Sequence, residues 1–169
     1  MDIEEQYDKI YRFCYYRTGN RETAEDLTQE TFLRFLKSNY QERGIGIRYL
    51  YTIARNLCIE ESRRQKNDPL PENLSDEGKE AEDLIEQIRV RQALMKLPDE
   101  DRDLIIMRFM NDESITDISK LTGLSRFVLY RRLKRILREL IRLMEGGHVD
   151  YEEKVETAIE RLGKTESDA

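Results

Sequence analysis

Apolar side chains recur at helical spacing in separate short runs along this chain, and that spacing limits the fold before any motif is considered. The pattern covers residues 3–17, 21–38 and 47–66, with breaks at Thr18-Gly19-Asn20 and from Ser38 to Gly46. A helix with one apolar side must bury it against another element, so three such runs predict an N-terminal three-helix domain, residues 1–66. "NDPLPENLSDEGKEAED", residues 67–83, then brings two prolines, a glycine and a series of acids, which suits an exposed linker.

Periodicity resumes near Leu84 and is interrupted at Leu97-Pro98, predicting a helix over 84–96 and another from Asp99 to Met110. Ser114-Ile115-Thr116-Asp117 has the form of a helix start, with the Ser hydroxyl as cap and a carboxylate three residues on. The short helix that follows should end at Leu121, turn at Thr122-Gly123-Leu124, and give way to a long helix capped by Ser125 and running to about Met144. Short helix, glycine turn and long basic helix together form the helix-turn-helix pattern, placed in a second domain over 84–145. With charged residues at 38%, three prolines and no tryptophan, the expected class is all-α: two small helical domains, an acidic linker and an acidic helical tail over 146–169.

Several function classes lose their parts list. The longest apolar run, Leu104-Ile105-Ile106-Met107, is far below the roughly 20 residues of a bilayer span, so no membrane insertion is expected. The start, MDIEEQYDKI, has neither the basic opening nor the apolar stretch of a signal peptide, so the expected location is cytoplasmic. Cys14 and Cys58 stand among apolar helical neighbours with no metal-ligand spacing, and are expected to be reduced core residues. The only histidine, His148, follows Gly146-Gly147, and there is no phosphate loop, zinc-binding helix or nucleophile elbow; no cofactor, metal or catalytic residue is expected.

Charge is unevenly spread. Formal net charge is −6, yet residues 122–140, "TGLSRFVLYRRLKRILREL", hold six Arg/Lys against one Glu. Around a helix at about 100° per residue, Leu129, Leu133, Ile136, Leu137, Leu140 and Met144 fall on one side, and Arg131, Lys134, Arg135, Arg138 and Arg142 on the other. A solvated amphipathic helix would have this shape too. A face of nearly one sign, with Phe127 beside Arg131 and Lys134, fits DNA better, because an aromatic there can meet a thymine methyl. On that reading Arg126, Phe127, Tyr130, Arg131 and Lys134 reach base edges, while Arg132, Arg135 and Arg138 meet phosphates.

Two further faces lie in the first domain. The helix with "AEDLTQETFLRFLK" packs through Ala24, Leu27, Thr31 and Phe35, and presents Asp26, Gln29, Glu30, Leu33 and Lys37 opposite. An outward leucine framed by acids and an amide suits a protein contact, though single exposed leucines are common. The helix with "IRYLYTIARNLCIEESRRQK" buries Leu50, Ile53, Ala54, Leu57 and Cys58, and turns Arg48, Thr52, Arg55, Asn56, Ile59, Arg63 and Lys66 outward. Tyr49 and Tyr51 flank that stripe, each as readily core as stacking platform; base stacking contributes about 1–3 kcal/mol.

"AEDLTQETFLRFLK", "YLYTIARNLCIEESRR" and "LPDEDRDLIIMRFM…SITDISKLTGLSRFVLYRRLKRILREL", in this order and spacing, resemble the sigma-seventy family of bacterial transcription initiation factors, in its small extracytoplasmic-function group. The resemblance implies a non-enzymatic factor that binds core RNA polymerase and promoter DNA. It implies polymerase docking through Asp26, Gln29 and Glu30, with Leu33 added from the face, and capture of minus-ten bases by the loop Asn39 to Gly46 and the helix after it. Arg48, Tyr49, Arg55, Asn56, Arg63 and Arg64 are the candidates there, and Ser125, Arg126, Phe127, Tyr130, Arg131, Arg132, Lys134 and Arg135 those for the minus-thirty-five element. An anti-sigma partner is a further possibility that the group suggests.

The match is not uniform. Tyr49 stands where relatives commonly have Trp, and Val128-Leu129-Tyr130-Arg131-Arg132-Leu133 replaces a Thr-Val-Lys-Ser-Arg-Leu pattern, so only Arg132, Leu133 and Arg135 carry over directly. Relatives of this size usually end near the position of Met144; the added tail sets Tyr151, Val155, Ile159 and Leu162 on one side and is expected either to dock and tune access or to stay solvated. Two other readings compete: a stand-alone helix-turn-helix regulator, binding duplex DNA unaided, and a helical adaptor that binds protein alone.

Overall fold

The computed structural model describes residues 2–38, 46–65, 81–144 and 156–161; the side chains of 65 and 81–87 lie outside that description. All regular structure among the described residues is helical, in two units. The loop 39–45, most of the 67–83 linker, and Tyr151, Val155 and Leu162 of the tail fall outside the described residues, whereas 156–161 are helical.

The first unit contains α1 (Ile3–Thr18), α2 (Arg21–Lys37) and α3 (Gly46–Gln65). Local chemistry sets the helix ends. Asp2 Oδ1 accepts from the Glu4 and Glu5 amides at 3.0 and 3.4 Å, closing donors that a helix start leaves open. Gly19 ends α1 in the left-handed region at φ 73°, its N–H reaching Tyr15 O at 2.8 Å, and Asn20 immediately caps α2 by accepting from Thr23 N at 3.0 Å. The Thr18-Gly19-Asn20 break is thus an interhelical corner.

The core of this unit is Ile10, Phe13, Cys14, Ala24, Leu50, Tyr51, Ile53, Ala54, Leu57 and Cys58. Both cysteines are buried, and neither is in a disulfide. α2 faces it with Thr28 and Thr31, whose hydroxyls donate to Ala24 O at 2.6 Å and Leu27 O at 2.7 Å, so neither is buried unsatisfied. Leu27 and Phe35, expected at the centre, are only half-buried.

Residues Ile106–Glu113 pack with this unit too, although the sequence reads them with the later helices. A π-helical turn over Ile106–Met110, closed by Asn111 N to Ile106 O at 3.0 Å, interrupts the helix expected from Asp99 to Met110, and Asp112 then turns at φ 53°. The segment is fixed by a buried polar cluster. Asn111 Nδ2 donates to Tyr51 Oη at 2.8 Å and to Lys9 O at 2.9 Å, and its Oδ1 accepts from Arg12 Nε at 3.0 Å. Tyr51 donates onward to Glu113 Oε1 at 3.0 Å, where Lys9 Nζ also lies at 3.0 Å. Burial first, and the Glu113 carboxylate second, hold the Tyr51 phenol protonated well above the ordinary tyrosine range. Tyr51 therefore belongs to the core, with Phe13 edge-on at 5.5 Å, and not to the basic stripe it flanks in sequence.

The second unit contains α4 (Ala81–Lys96), α5 (Asp99–Ile105), α6 (Ile115–Thr122) and α7 (Arg126–Met144). Leu129, Leu133, Ile136 and Leu137 of α7 are buried, and α4, α5 and α6 each pack on that helix. Leu140 and Met144 are half-buried at its far end. The α4–α5 corner is tied by Arg102: its Nε donates to Leu94 O at 2.8 Å and one terminal nitrogen to Met95 O at 3.2 Å and Leu97 O at 3.1 Å. One buried guanidinium thus satisfies three carbonyls at the end of α4.

The turn between α6 and α7 is hydrogen-bonded throughout. Ser114 Oγ accepts from Asp117 N at 3.0 Å, Gly123 adopts φ 76° with its N–H on Ser119 O at 2.9 Å, and Ser119 Oγ donates to Leu124 O at 2.6 Å. Ser125 Oγ then accepts from Val128 N at 3.2 Å, starting α7.

Asn111→Ala leaves the Lys9 carbonyl, Arg12 and Tyr51 short of partners and is expected to lower stability by about 1–3 kcal/mol in urea unfolding; no loss would contradict the cluster's role. A Cβ on Gly123 meets nothing within 4 Å, so Gly123→Ala should cost only its backbone term, about 1–2 kcal/mol, and Gly123→Asn less.

Candidate nucleic-acid interface

With its apolar side committed to packing, α7 leaves an opposite side that is cationic and outward. Ser125, Arg126, Phe127, Arg131, Lys134, Arg135 and Arg138 are exposed, and Arg132 is half-buried. Phe127, a large aromatic, is 69% exposed with the Arg131 guanidinium 5.7 Å from its ring centroid. That contact holds a cation beside an exposed ring. Tyr130 departs from the expected set: it is half-buried and its hydroxyl oxygen is fully enclosed, so it does not share the outward face of Arg131 and Lys134.

Sequence reasoning missed an acid at this site. Asp101 on α5 is 5% exposed, and its Oδ1 accepts from Arg132 at 3.1 Å and from Arg135 at 3.4 Å. Glu100 adds a carboxylate 3.6 Å from Arg132. Acids early in α5 read simply as partners of a helix N-terminus, and their pairing with residues some thirty positions later is a product of the fold. Further along, Arg142 grips Glu139 through two hydrogen bonds of 2.6 and 3.1 Å, which pulls that exposed carboxyl below its ordinary pKa.

α2 carries a different surface. Asp26, Gln29 and Leu33 are exposed, while Glu30 is half-buried and pairs with Arg34 at 2.9 Å. Leu36, 74% exposed one turn beyond Leu33, extends the apolar part and was not singled out by periodicity. Such neighbouring leucines, rimmed by acids and an amide, have the makeup of a protein contact.

On α3, Arg55, Asn56, Arg63 and Arg64 are exposed, with Arg64 3.3 Å from Glu61, and Arg48 and Tyr49 are half-buried. The Tyr49 ring lies 5.9 Å from Phe35, tilted by 48°, so one of the two flanking tyrosines does remain at the stripe. Among the described residues no group of His, Cys, Asp and Glu could hold a metal ion, and no helix is long and apolar enough to cross a membrane.

Comparison with known proteins accounts for both units. Residues 3–67 match Sigma-70 region 2, and residues 87–140 match Sigma-70, region 4. The ECF RNA polymerase sigma factor BldN of Streptomyces coelicolor is 30% identical over 84% of this chain and 59% of its own length. RNA polymerase sigma factor YlaC of Bacillus subtilis is 31% identical over 79% of this chain and 84% of its own. In structure, the chain is similar to the sigma factor RpoE, solved in complex with the anti-sigma factor NepR from Bartonella quintana. That likeness has a TM-score of 0.64 at 19% identity, covers 85% of this chain and 94% of the other, and is one of fold. Two regional matches in chain order and a relative aligned over most of both chains lead to one assignment: the chain belongs to the sigma-70 family of RNA polymerase sigma factors, in its extracytoplasmic-function group.

Proposed function

We infer that this sigma factor binds core RNA polymerase and directs it to specific promoters, dividing the work between its units. Residues 1–66 dock on polymerase and open the minus-ten element, residues 84–145 read the minus-thirty-five element, 67–83 link them, and 146–169 form an acidic extension. The observation that carries the reading is the outward side of α7, where Phe127 and the exposed cations Arg126, Arg131, Lys134, Arg135 and Arg138 stand on a helix whose other side packs through Leu129, Leu133, Ile136 and Leu137. Stand-alone regulation and a protein-only adaptor are disfavoured by the matches to both sigma regions.

On α7, Ser125, Arg126, Phe127, Arg131 and Lys134 enter the major groove, and Arg132, Arg135 and Arg138 meet the phosphates beside it. Tyr130, with its hydroxyl enclosed, supports the helix at the margin of this contact. On α2, Asp26, Gln29, Glu30 and Leu33 face the polymerase, with Leu36 enlarging the apolar part. On α3, Arg48, Tyr49, Arg55, Asn56, Arg63 and Arg64 take the unstacked minus-ten bases, the cations along the backbone and Tyr49 as a stacking platform. The factor acts in the cytoplasm by binding, with no chemistry of its own, and an anti-sigma protein that covers these faces would silence it.

Transcription from fragmented genomic DNA by core polymerase, with and without the chain, tests the reading: new start sites are expected only when the chain is added. Asp26→Arg should weaken core binding about tenfold or more by turning an attractive rim charge repulsive, without unfolding the exposed site. Phe127→Ala should leave core binding intact and weaken promoter binding by about 1–3 kcal/mol. Absence of core binding by the wild-type chain would overturn the assignment of these faces.

A further inference from the structure

Arg132 and Arg135 are not simply two more cations of the α7 face. Their guanidiniums converge on a single oxygen, Asp101 Oδ1, at 3.1 and 3.4 Å, and the Asp101 side chain is nearly buried while those of Arg132 and Arg135 are 27% and 63% exposed. Among the described residues Arg126, Arg131, Lys134 and Arg138 have no acidic partner, so the same face carries two kinds of cation: ones that no carboxylate holds, Arg131 lying against the Phe127 ring, and a pair tethered from beneath.

The tether has two physical effects. Each arginine side chain has many rotamers, and a carboxylate that fixes the fork removes part of that freedom before any phosphate arrives. It also cancels one of the pair's two charges locally, which lowers the counterion release that drives sequence-independent binding. A fixed fork matches phosphates in one register of α7 in the groove and cannot follow them in others, whereas a free arginine follows the backbone anywhere. The carboxylate therefore favours the promoter complex over nonspecific ones.

We propose that Asp101 is a positioning residue for specificity: by holding Arg132 and Arg135 in fixed directions, it makes their phosphate contacts depend on correct seating of α7 and suppresses binding to non-promoter DNA. This rests on the reading of α7 as the minus-thirty-five helix. Asp101 itself meets no DNA.

The test uses the full chain assembled with core polymerase and measures binding to promoter and non-promoter duplexes across a salt series, beside the melting temperature of each variant. Asp101→Asn should raise non-promoter affinity several-fold, lower the promoter-to-non-promoter ratio, and steepen the slope of log K against log salt on non-promoter DNA by about 0.9, one phosphate's worth. Asp101→Glu, which keeps the charge, should restore the wild-type slope. If Asp101→Asn weakens both DNAs equally with an unchanged slope, the pair is a structural brace and the proposal fails. Should Asp101→Asn not fold, Arg135→Gln in the same assay is expected to cost promoter binding more than non-promoter binding, and equal losses on both overturn the proposal. A Phe127→Ala holoenzyme separates the two levels: no promoter loss there rejects the α7 reading itself, while a clear loss with Asp101→Asn behaving as wild type rejects only the role of Asp101.

Discussion

A single buried guanidinium organises the second unit. α4 ends at Lys96, where a helix runs short of backbone donors for its last carbonyls, and Arg102 returns from α5 to donate to those of Leu94, Met95 and Leu97, the first of which also accepts from Leu97 N at 3.1 Å. A lysine could not do this, since its ammonium lacks the planar fork that reaches three acceptors from one position. The corner that Arg102 fixes brings the preceding residue, Asp101, under α7, where it meets Arg132 and Arg135. α7 is held through its apolar side by Leu129, Leu133, Ile136 and Leu137, and through its polar side by this carboxylate.

The acidic balance of the whole chain then becomes intelligible. Residues 145–169 contain eight Asp/Glu and three Lys/Arg, so the remaining 144 residues are close to neutral, and α7 carries the most one-sided run of cations. Small cationic faces on an acidic protein neutralise few phosphates, and weak solitary binding follows, because counterion release supplies most nonspecific affinity. A large partner that holds both units near DNA turns the second contact into an intramolecular one, and its effective concentration replaces the missing charge. Discrimination by a few base contacts is sufficient in such an assembly, and excess cationic affinity would work against it.

Much of this was legible in local sequence. Ser114 and Ser125 mark helix starts, Thr18-Gly19-Asn20 and Thr122-Gly123-Leu124 mark breaks, and the apolar stripe of α7 names most of its own core, because caps and periodicity act within a few residues. The outward set on α2 and the cations of α3 and α7 follow from the same geometry. What periodicity could not show involves partners far apart in the chain: Tyr51 inside the Asn111–Glu113 cluster, the inclusion of the π-helical Ile106–Met110 in the first unit, and Asp101 beneath the arginines. Tyr130 shows the limit of a helical wheel, which gives an angle to each residue but not the depth at which its hydroxyl ends.

The most direct test of a sigma factor built from weak faces and a strong partner is equilibrium binding of a labelled promoter duplex by the purified chain, at one fixed salt concentration near physiological, with core RNA polymerase absent and then present. The account predicts weak, sequence-indifferent binding by the chain alone and tight promoter-selective binding once polymerase is added. Tight, selective binding by the chain alone, unchanged by polymerase, would contradict it.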